Sequence, residues 1–250
     1  MTEIIRLRQE QSWPGGVPLP PAELPFLIAT AARAPSVFNT QPWQFRVAGN
    51  ALEMHADTRR GLRVLDPSGR EMLISCGAAL YGLRLAVRHL GYVPAIALLP
   101  DPGHPSLLAR LYLGAEAPVT PAERDMLAVV PHRHTHRGPF SPGVLPAGLL
   151  EGLRQDAAAE GAALVTVDEP AAYQRLAGLV AAAAAWRRRT AQAEVQRWTR
   201  EPGSAARDGV PVSAYPAATV EPAGPGRLTQ RDFDLGRGWA AATAEGAPPA

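Results

Sequence analysis

Two arginines and a threonine alternate within residues 132–140, which read HRHTHRGPF. In an extended chain, residues two apart face the same side, so Arg133, Thr135 and Arg137 can converge on one ligand. A guanidinium makes charge-assisted, bidentate hydrogen bonds to phosphate or carboxylate, each contributing roughly 1.5–3 kcal/mol. The spacing therefore predicts an anion site, and phosphate suits it best.

The same residues support two other interpretations. His132, His134 and His136 share the opposite face, and neutral imidazole is a good ligand for zinc or nickel. Neither a second cysteine nor a clear set of carboxylates accompanies these histidines, since Cys76 is the only cysteine. The third interpretation is a solvated basic loop. The residues favour phosphate binding and leave the other two interpretations open.

A second candidate segment, residues 34–43, reads APSVFNTQPW and carries short polar side chains between prolines. It follows a predicted helix and precedes a predicted strand. Such exits place backbone amides and polar side chains at a cleft, where the edge of a planar heteroaromatic ring can be bound. A well-made turn is the competing interpretation, with Ser36 and Asn39 bonding to their own backbone and Trp43 filling the core.

Periodic patterns predict the elements that position the 34–43 segment. A helix is expected over residues 20–33, and Pro35 ends it. Two antiparallel strands, 44–48 and 51–57, flank a Gly49-Asn50 turn. The inward-facing residues predicted for this hairpin are Phe45, Val47, Leu52 and Met54.

A longer helix is predicted over residues 70–90, ending at Gly91. Its apolar residues are distributed around most of the helix circumference, which is typical of a helix buried on several sides. Strands are expected at 95–99 and 107–113. A helix should then run from Pro121 to residue 130, because Thr120 and Glu123 form a capping box.

Beyond residue 140 a second round of elements is expected. The pattern predicts a helix over 146–160, a strand over 162–167 and an alanine-rich helix over 170–198. From residue 201 the chain is rich in proline, glycine, serine and alanine, which is typical of loop or disorder.

Three sequence motifs of this chain resemble motifs of a known protein family. The 34–43 segment resembles the PSxxNxQPW signature of FMN-dependent nitroreductases, and residues 66–92 are similar to their central helix, which packs at the subunit interface. Residues 132–140 resemble the R-x-[ST]-x-R motif that binds flavin phosphate. The motif order is that of the Acg-like subfamily, in which two nitroreductase-like halves are fused.

The resemblance implies an α+β fold: a nitroreductase-like α/β/α sandwich with a mostly antiparallel sheet and a buried central helix. It also implies three regions. Residues 1–120 form the first nitroreductase-like half, residues 121–200 form a partial second half, and residues 201–250 form a loop-rich or disordered tail.

The resemblance further assigns cofactor-binding roles. Arg133 and Thr135 match phosphate contacts, and Arg137 matches the position near flavin N1 and O2. Contacts to the isoalloxazine ring are expected from the other motif, at Pro35, Ser36 and Asn39. Gln41 of the same motif is expected among the cofactor-binding residues. No catalytic acid, base or nucleophile is expected, because flavin performs the chemistry and the protein supplies binding and orientation.

The implied function is an FMN-dependent oxidoreductase that moves electrons from NAD(P)H through flavin to a nitroaromatic or quinone-type small molecule. Two alternatives stay open at the level of sequence. One is a protein that binds or sequesters flavin without turnover, and the other is a truncated remnant of a longer protein.

Composition limits the classes of binding partner and the cellular locations that we expect for this protein. A net charge of +2 is too small to argue for nucleic acid. A single cysteine excludes an internal disulfide, and no apolar run approaches the ~20 residues that cross a bilayer. With no recognisable signal peptide, we expect a cytoplasmic protein with no membrane partner. Because the helix over 70–90 would lack an intramolecular partner on its exposed face, we expect either self-association through it, as in a homodimer, or marginal stability as a monomer.

Overall fold

The computed structural model describes residues 5–6, 17–137 and 143–215. The chain divides into two compact units, which are described separately. The sheet unit comprises residues 2–135 and the short segment Ala205–Gly209, and the helical unit comprises residues 136–204 and 210–250. The division into halves at 1–120 and 121–200 stays a prediction.

A five-stranded sheet forms the frame of the sheet unit. Along the chain its strands are β1 (Ile5–Arg6), β2 (Trp43–Ala48), β3 (Ala51–Ala56), β4 (Tyr92–Leu98) and β5 (Leu107–Glu116). Their order in the sheet is β1-β4-β5-β3-β2, and only the β1–β4 pairing is parallel. The four strands predicted from the sequence are therefore confirmed, as is the mostly antiparallel sheet.

Three helices belong to the same unit. Helix α1 (Leu24–Ala31) follows a short 3-10 turn, and α2 (Arg70–His89) stops before Gly91, which has a φ of +85°. Helix α3 (Pro121–Val129) begins with the predicted capping box between Thr120 and Glu123. All three helix predictions are confirmed, and the unit is α+β.

The core lies between the sheet and the helices α1 and α2. Its fully buried side chains include Leu27 of α1, Leu83 of α2 and Leu111 of β5. Gly82 allows α1 to approach α2 closely, because a Cβ added there would lie 3.2 Å from the Thr30 carbonyl oxygen. A small residue is thus needed where the two helices cross.

Two burial predictions need correction. Val47, expected to face inward, is 46% exposed, because β2 is the edge strand and Val47 lies near its hairpin end. Helix α2 is buried mainly in its second half, while Leu73 and Ile74 in its first half are 50% and 52% exposed. The other hairpin predictions fare better, since Leu52 and Met54 are buried and Phe45 is half-buried.

The helical unit contains α4 (Leu149–Ala159), α5 (Pro170–Thr190) and α6 (Gln192–Arg197). Two-residue strands β6 (Thr199–Arg200) and β7 (Val210–Pro211) pair in parallel. The predicted helix over 170–198 is interrupted at Ala191, whose backbone leaves the helical region. The predicted strand over 162–167 is wrong, because this stretch pairs with no described strand. Among the described helices, none has the length and apolar character needed to span a membrane.

Candidate functional site

The 34–43 segment contains a strained turn between α1 and β2. Phe38, Asn39 and Gln41 have φ angles of +51°, +53° and +49°. They are three of the four described non-glycine residues with positive φ. Each such residue costs roughly 1–3 kcal/mol and persists only where its surroundings over-determine the conformation, which is typical of functional sites.

Local hydrogen bonds brace this turn. The Oγ atom of Ser36 accepts a 2.9 Å bond from the backbone N–H of Gln41, and the Ser36 carbonyl accepts one of 2.9 Å from the N–H of Asn39. Pro35 is exposed. The hydroxyl of Ser36 therefore has a structural partner, as the turn interpretation of this segment expects.

The amides of Asn39 and Gln41 hold the segment Ala205–Gly209. Nδ2 of Asn39 donates to the carbonyls of Gly209, at 3.0 Å, and Arg207, at 3.3 Å. Nε2 of Gln41 donates to the same Arg207 carbonyl at 2.9 Å, and the N–H of Gly209 donates to the Asn39 carbonyl at 3.0 Å. The Asn39 amide hydrogens are thus used, which leaves its Oδ1 as the side-chain atom suited to accept a bond from a ligand.

An ion-pair network lies beside the turn. Nη1 of Arg60 donates to the Thr40 carbonyl at 2.8 Å and to Oδ2 of Asp208 at 2.7 Å. The network borders a cleft of about 550 Å³. The cleft is lined by Gln41, Trp43, Gln44, Asp57, Arg59, Arg60, Ala206, Arg207 and Asp208. Its rim therefore joins the turn, the loop after β3 and the Ala205–Gly209 segment.

Asp57 is a firmly ionised carboxylate in this cleft. It accepts hydrogen bonds from the backbone and guanidinium of Arg59 and from Nε2 of Gln44. The side-chain bond from Arg59 lowers the pKa of Asp57 to about 2, and outweighs burial, which acts in the opposite direction. Asp57 is therefore a structural anion at neutral pH and has no proton to donate.

Arg133 contacts the exit of α1. Its Nε and Nη2 atoms donate to the backbone carbonyl of Arg33, at 3.2 and 3.0 Å, and its own backbone is extended. Arg33 precedes Pro35 by two positions, so the structure brings Arg133 close to the start of the 34–43 segment within the sheet unit. Thr135 is exposed in the same unit, whereas Arg137 is half-buried and belongs to the helical unit.

The histidines of residues 132–137 are exposed, and the Nδ1 atom of His134 lies 3.2 Å from the His132 carbonyl. Within the described ranges, no group of three or more histidine, cysteine, aspartate or glutamate side chains is arranged to hold a metal ion.

The segment Ala205–Gly209, with Arg60, is the part of the site that the sequence did not reveal. The dipeptide Asp208-Gly209 does predict a turn. No local pattern, however, connects it to Asn39, which lies 170 positions before Gly209. The interaction depends on the tertiary fold alone.

The chain is similar in sequence to several known proteins. No family model matches the chain. A Mycobacterium tuberculosis H37Rv protein named "Putative NAD(P)H nitroreductase Rv3131" is 34% identical over 206 residues, which cover 81% of this chain and 58% of that protein. The chain is therefore nitroreductase-like in sequence. The same species' "Putative NAD(P)H nitroreductase acg" is 33% identical over 114 residues, 46% of this chain and 34% of that protein, in keeping with an Acg-like member.

This chain thus spans 58% of the length of the Rv3131 relative. A crystal structure from Parabacteroides distasonis, described as a putative NADH dehydrogenase/NAD(P)H nitroreductase, is also similar. It shares 16% identity with a TM-score of 0.33, over 52% of this chain and 90% of that one.

Proposed function

We propose that the chain binds FMN and acts as an NAD(P)H-dependent oxidoreductase whose electron acceptor is a nitroaromatic, a quinone or a similar small molecule. The observation that carries this proposal is the contact between Arg133 and the exit of α1, beside a turn with three strained residues. The relatives are named as NAD(P)H nitroreductases, which supports a nicotinamide as the electron donor.

The residues of the sheet unit fit the phosphate of FMN. Arg133 uses two of its five N–H groups on the Arg33 carbonyl, so other N–H groups of the same guanidinium are available to a phosphate. Thr135 lies two positions further along and is exposed, with a hydroxyl that can donate to the same anion. These two residues would hold the phosphate, and the role of Arg137 stays a prediction from the sequence.

The turn fits the edge of the isoalloxazine ring. The ring has one N–H donor, N3, between two carbonyl acceptors, and Oδ1 of Asn39 is an acceptor whose amide is already oriented by Arg207 and Gly209. Pro35 and Ser36 would lie beside the ring, while Gln41 fixes the segment Ala205–Gly209.

Bound FMN would supply the redox chemistry, taking a hydride from the nicotinamide and passing electrons to the acceptor. The protein's part is binding and orientation. Cys76 takes no part, because it is fully buried, donates to the Pro42 carbonyl and has a pKa raised to about 11 by burial. Asp57 is held as an anion and is likewise not a proton donor.

A cytoplasmic location and a homodimer belong to the same proposal. NAD(P)H is a cytoplasmic electron donor, and the exposed apolar side chains of Leu73 and Ile74 favour self-association through α2.

Titration of the purified protein with FMN, followed by flavin fluorescence, tests the binding site. Saturable quenching is expected, and Asn39→Ala should weaken binding roughly tenfold because the ring loses an oriented acceptor. Asn50→Ala, on the hairpin turn, is the matched control and should bind FMN as the unmodified protein does. No saturable change with the unmodified protein would refute the proposal.

A further inference from the structure

Arg60 joins three parts of the sheet unit that are far apart in sequence. Its Nη1 atom donates to the Thr40 carbonyl, 20 positions earlier, and to the carboxylate of Asp208, 148 positions later. The side chain is about one-third exposed and also lies 3.7 Å from Asp57. One cationic nitrogen therefore links the loop after β3, the strained turn and the segment Ala205–Gly209.

Both acceptors stand at the centre of the pairing between the turn and this segment. Thr40 lies between Asn39 and Gln41, whose amides donate to the carbonyls of Arg207 and Gly209. Asp208 lies between those two carbonyls. Arg60 thus binds the central residue of each segment, Thr40 and Asp208. The amides of Asn39 and Gln41 bind the residues on either side of Asp208.

This arrangement explains how the strained turn keeps one conformation. Asn39 and Gln41 have left-handed backbones that their residue types adopt at a cost, and an amide side chain can rotate unless its hydrogens are paired. The carbonyls of Arg207 and Gly209 orient the Asn39 amide only while Ala205–Gly209 stays in place. The ion pair with Asp208 holds this segment through its charge.

We propose that Arg60 is a positioning residue of the FMN site: by tying Thr40 to Asp208, it holds Ala205–Gly209 against the turn and so fixes the orientation of the Asn39 amide. The inference rests on the proposed function for the identity of the ligand. It assigns Arg60 no contact with FMN.

The first test uses no flavin. In hydrogen exchange measured by mass spectrometry, Arg60→Ala should accelerate exchange of the Gly209 amide, which donates to the Asn39 carbonyl, and of residues 37–41. Arg63→Ala is the matched control, because it removes an exposed arginine from the same loop. Unchanged exchange at both segments in Arg60→Ala would overturn the proposal, whatever the result with flavin.

The second test measures FMN affinity in the same variants. Arg60→Ala should weaken binding roughly tenfold, and Arg60→Lys should restore most of it, because both bonds come from one nitrogen and an ammonium group has three donors. If Arg60→Ala only lowers the melting temperature while the folded fraction binds FMN with unchanged affinity, the role is purely structural and the proposal is wrong. If the unmodified protein fails to bind FMN but the exchange result holds, the positioning role stands and the proposed function fails.

Discussion

The guanidinium of Arg133 donates two hydrogen bonds to the backbone carbonyl of Arg33, a residue 100 positions earlier in the chain. Arg33 lies just beyond the C-terminal end of α1, where the negative end of the helix dipole makes a cation favourable. The bonds also place the first arginine of the 132–137 motif beside the 34–43 segment. Within the sheet unit, Arg133 therefore lies close to the start of the 34–43 segment.

This contact predicts a difference between neighbouring positions. Arg133→Ala should weaken FMN binding by roughly tenfold or more, because a charge-assisted bond contributes about 1.5–3 kcal/mol. His134→Ala, one position along, is the matched control and should change affinity little. Isothermal titration with FMN measures both.

Equal losses in the two variants would contradict the alternation of faces along residues 133–137. A larger loss at His134, accompanied by bound zinc, would favour the metal interpretation instead.

Trp43 supplies a test of the fold beside the turn. The side chain is 8% exposed in the core between the sheet and the helices. Trp43→Ala should lower the free energy of unfolding by roughly 3–5 kcal/mol, because it removes buried contacts and leaves a cavity. Urea unfolding measures the change. A loss below about 1 kcal/mol would show that the indole is not in the core.

A buried ion pair predicts the acid dependence of stability. Arg88 and Glu123 share two bonds, of 2.8 and 3.1 Å, and the Arg88 hydrogen bond lowers the pKa of Glu123 from 4.5 to about 2. A lowered pKa stabilises the folded state above pH 4.5, and this contribution is lost as the pH falls to about 2. It amounts to at most roughly 3 kcal/mol.

Thermal unfolding between these pH values tests the ion pair. Glu123→Gln should be less stable than the unmodified protein at neutral pH, and its melting temperature should fall less steeply with acid. A slope identical to that of the unmodified protein would show that Glu123 titrates with an ordinary pKa.

The exposed half of α2 predicts self-association. Leu73 and Ile74 are half-exposed neighbours on a helix whose second half is core. Replacing both with serine should shift the protein toward monomer in sedimentation measured at several concentrations. Val47→Ser, which removes an exposed apolar side chain from β2, is the control. A concentration-independent monomer before any substitution would contradict the proposed homodimer.

Local patterns predicted most of the sheet unit. The capping box at Thr120, the stop at Gly91 and the Gly49-Asn50 turn depend on residues close in sequence, and the structure confirms the elements that they bound. Val47 was predicted wrongly because alternation indicates a face of the strand, while burial depends on what covers that face. The strand prediction for residues 162–167 was wrong for a related reason. A strand needs a neighbouring strand to pair with, and a local pattern does not show whether one is present.

The candidate site was predicted only in part. The sequence identified Asn39, Gln41 and Arg133, but their observed partners are backbone carbonyls of Arg207, Gly209 and Arg33. Any residue type offers a carbonyl, so no pattern marks these partners. Arg60 and Asp208 carry a charge signal, yet only the fold shows that they meet.

The most direct test of the proposed function is the visible absorbance of the FMN-loaded protein on anaerobic mixing with NADH or NADPH. The account predicts that the absorbance of oxidised flavin bleaches faster than that of free FMN under the same conditions, and returns when a quinone or nitroaromatic is added. Bound flavin that stays oxidised with both nicotinamides would contradict the enzyme and indicate a protein that holds flavin without turnover.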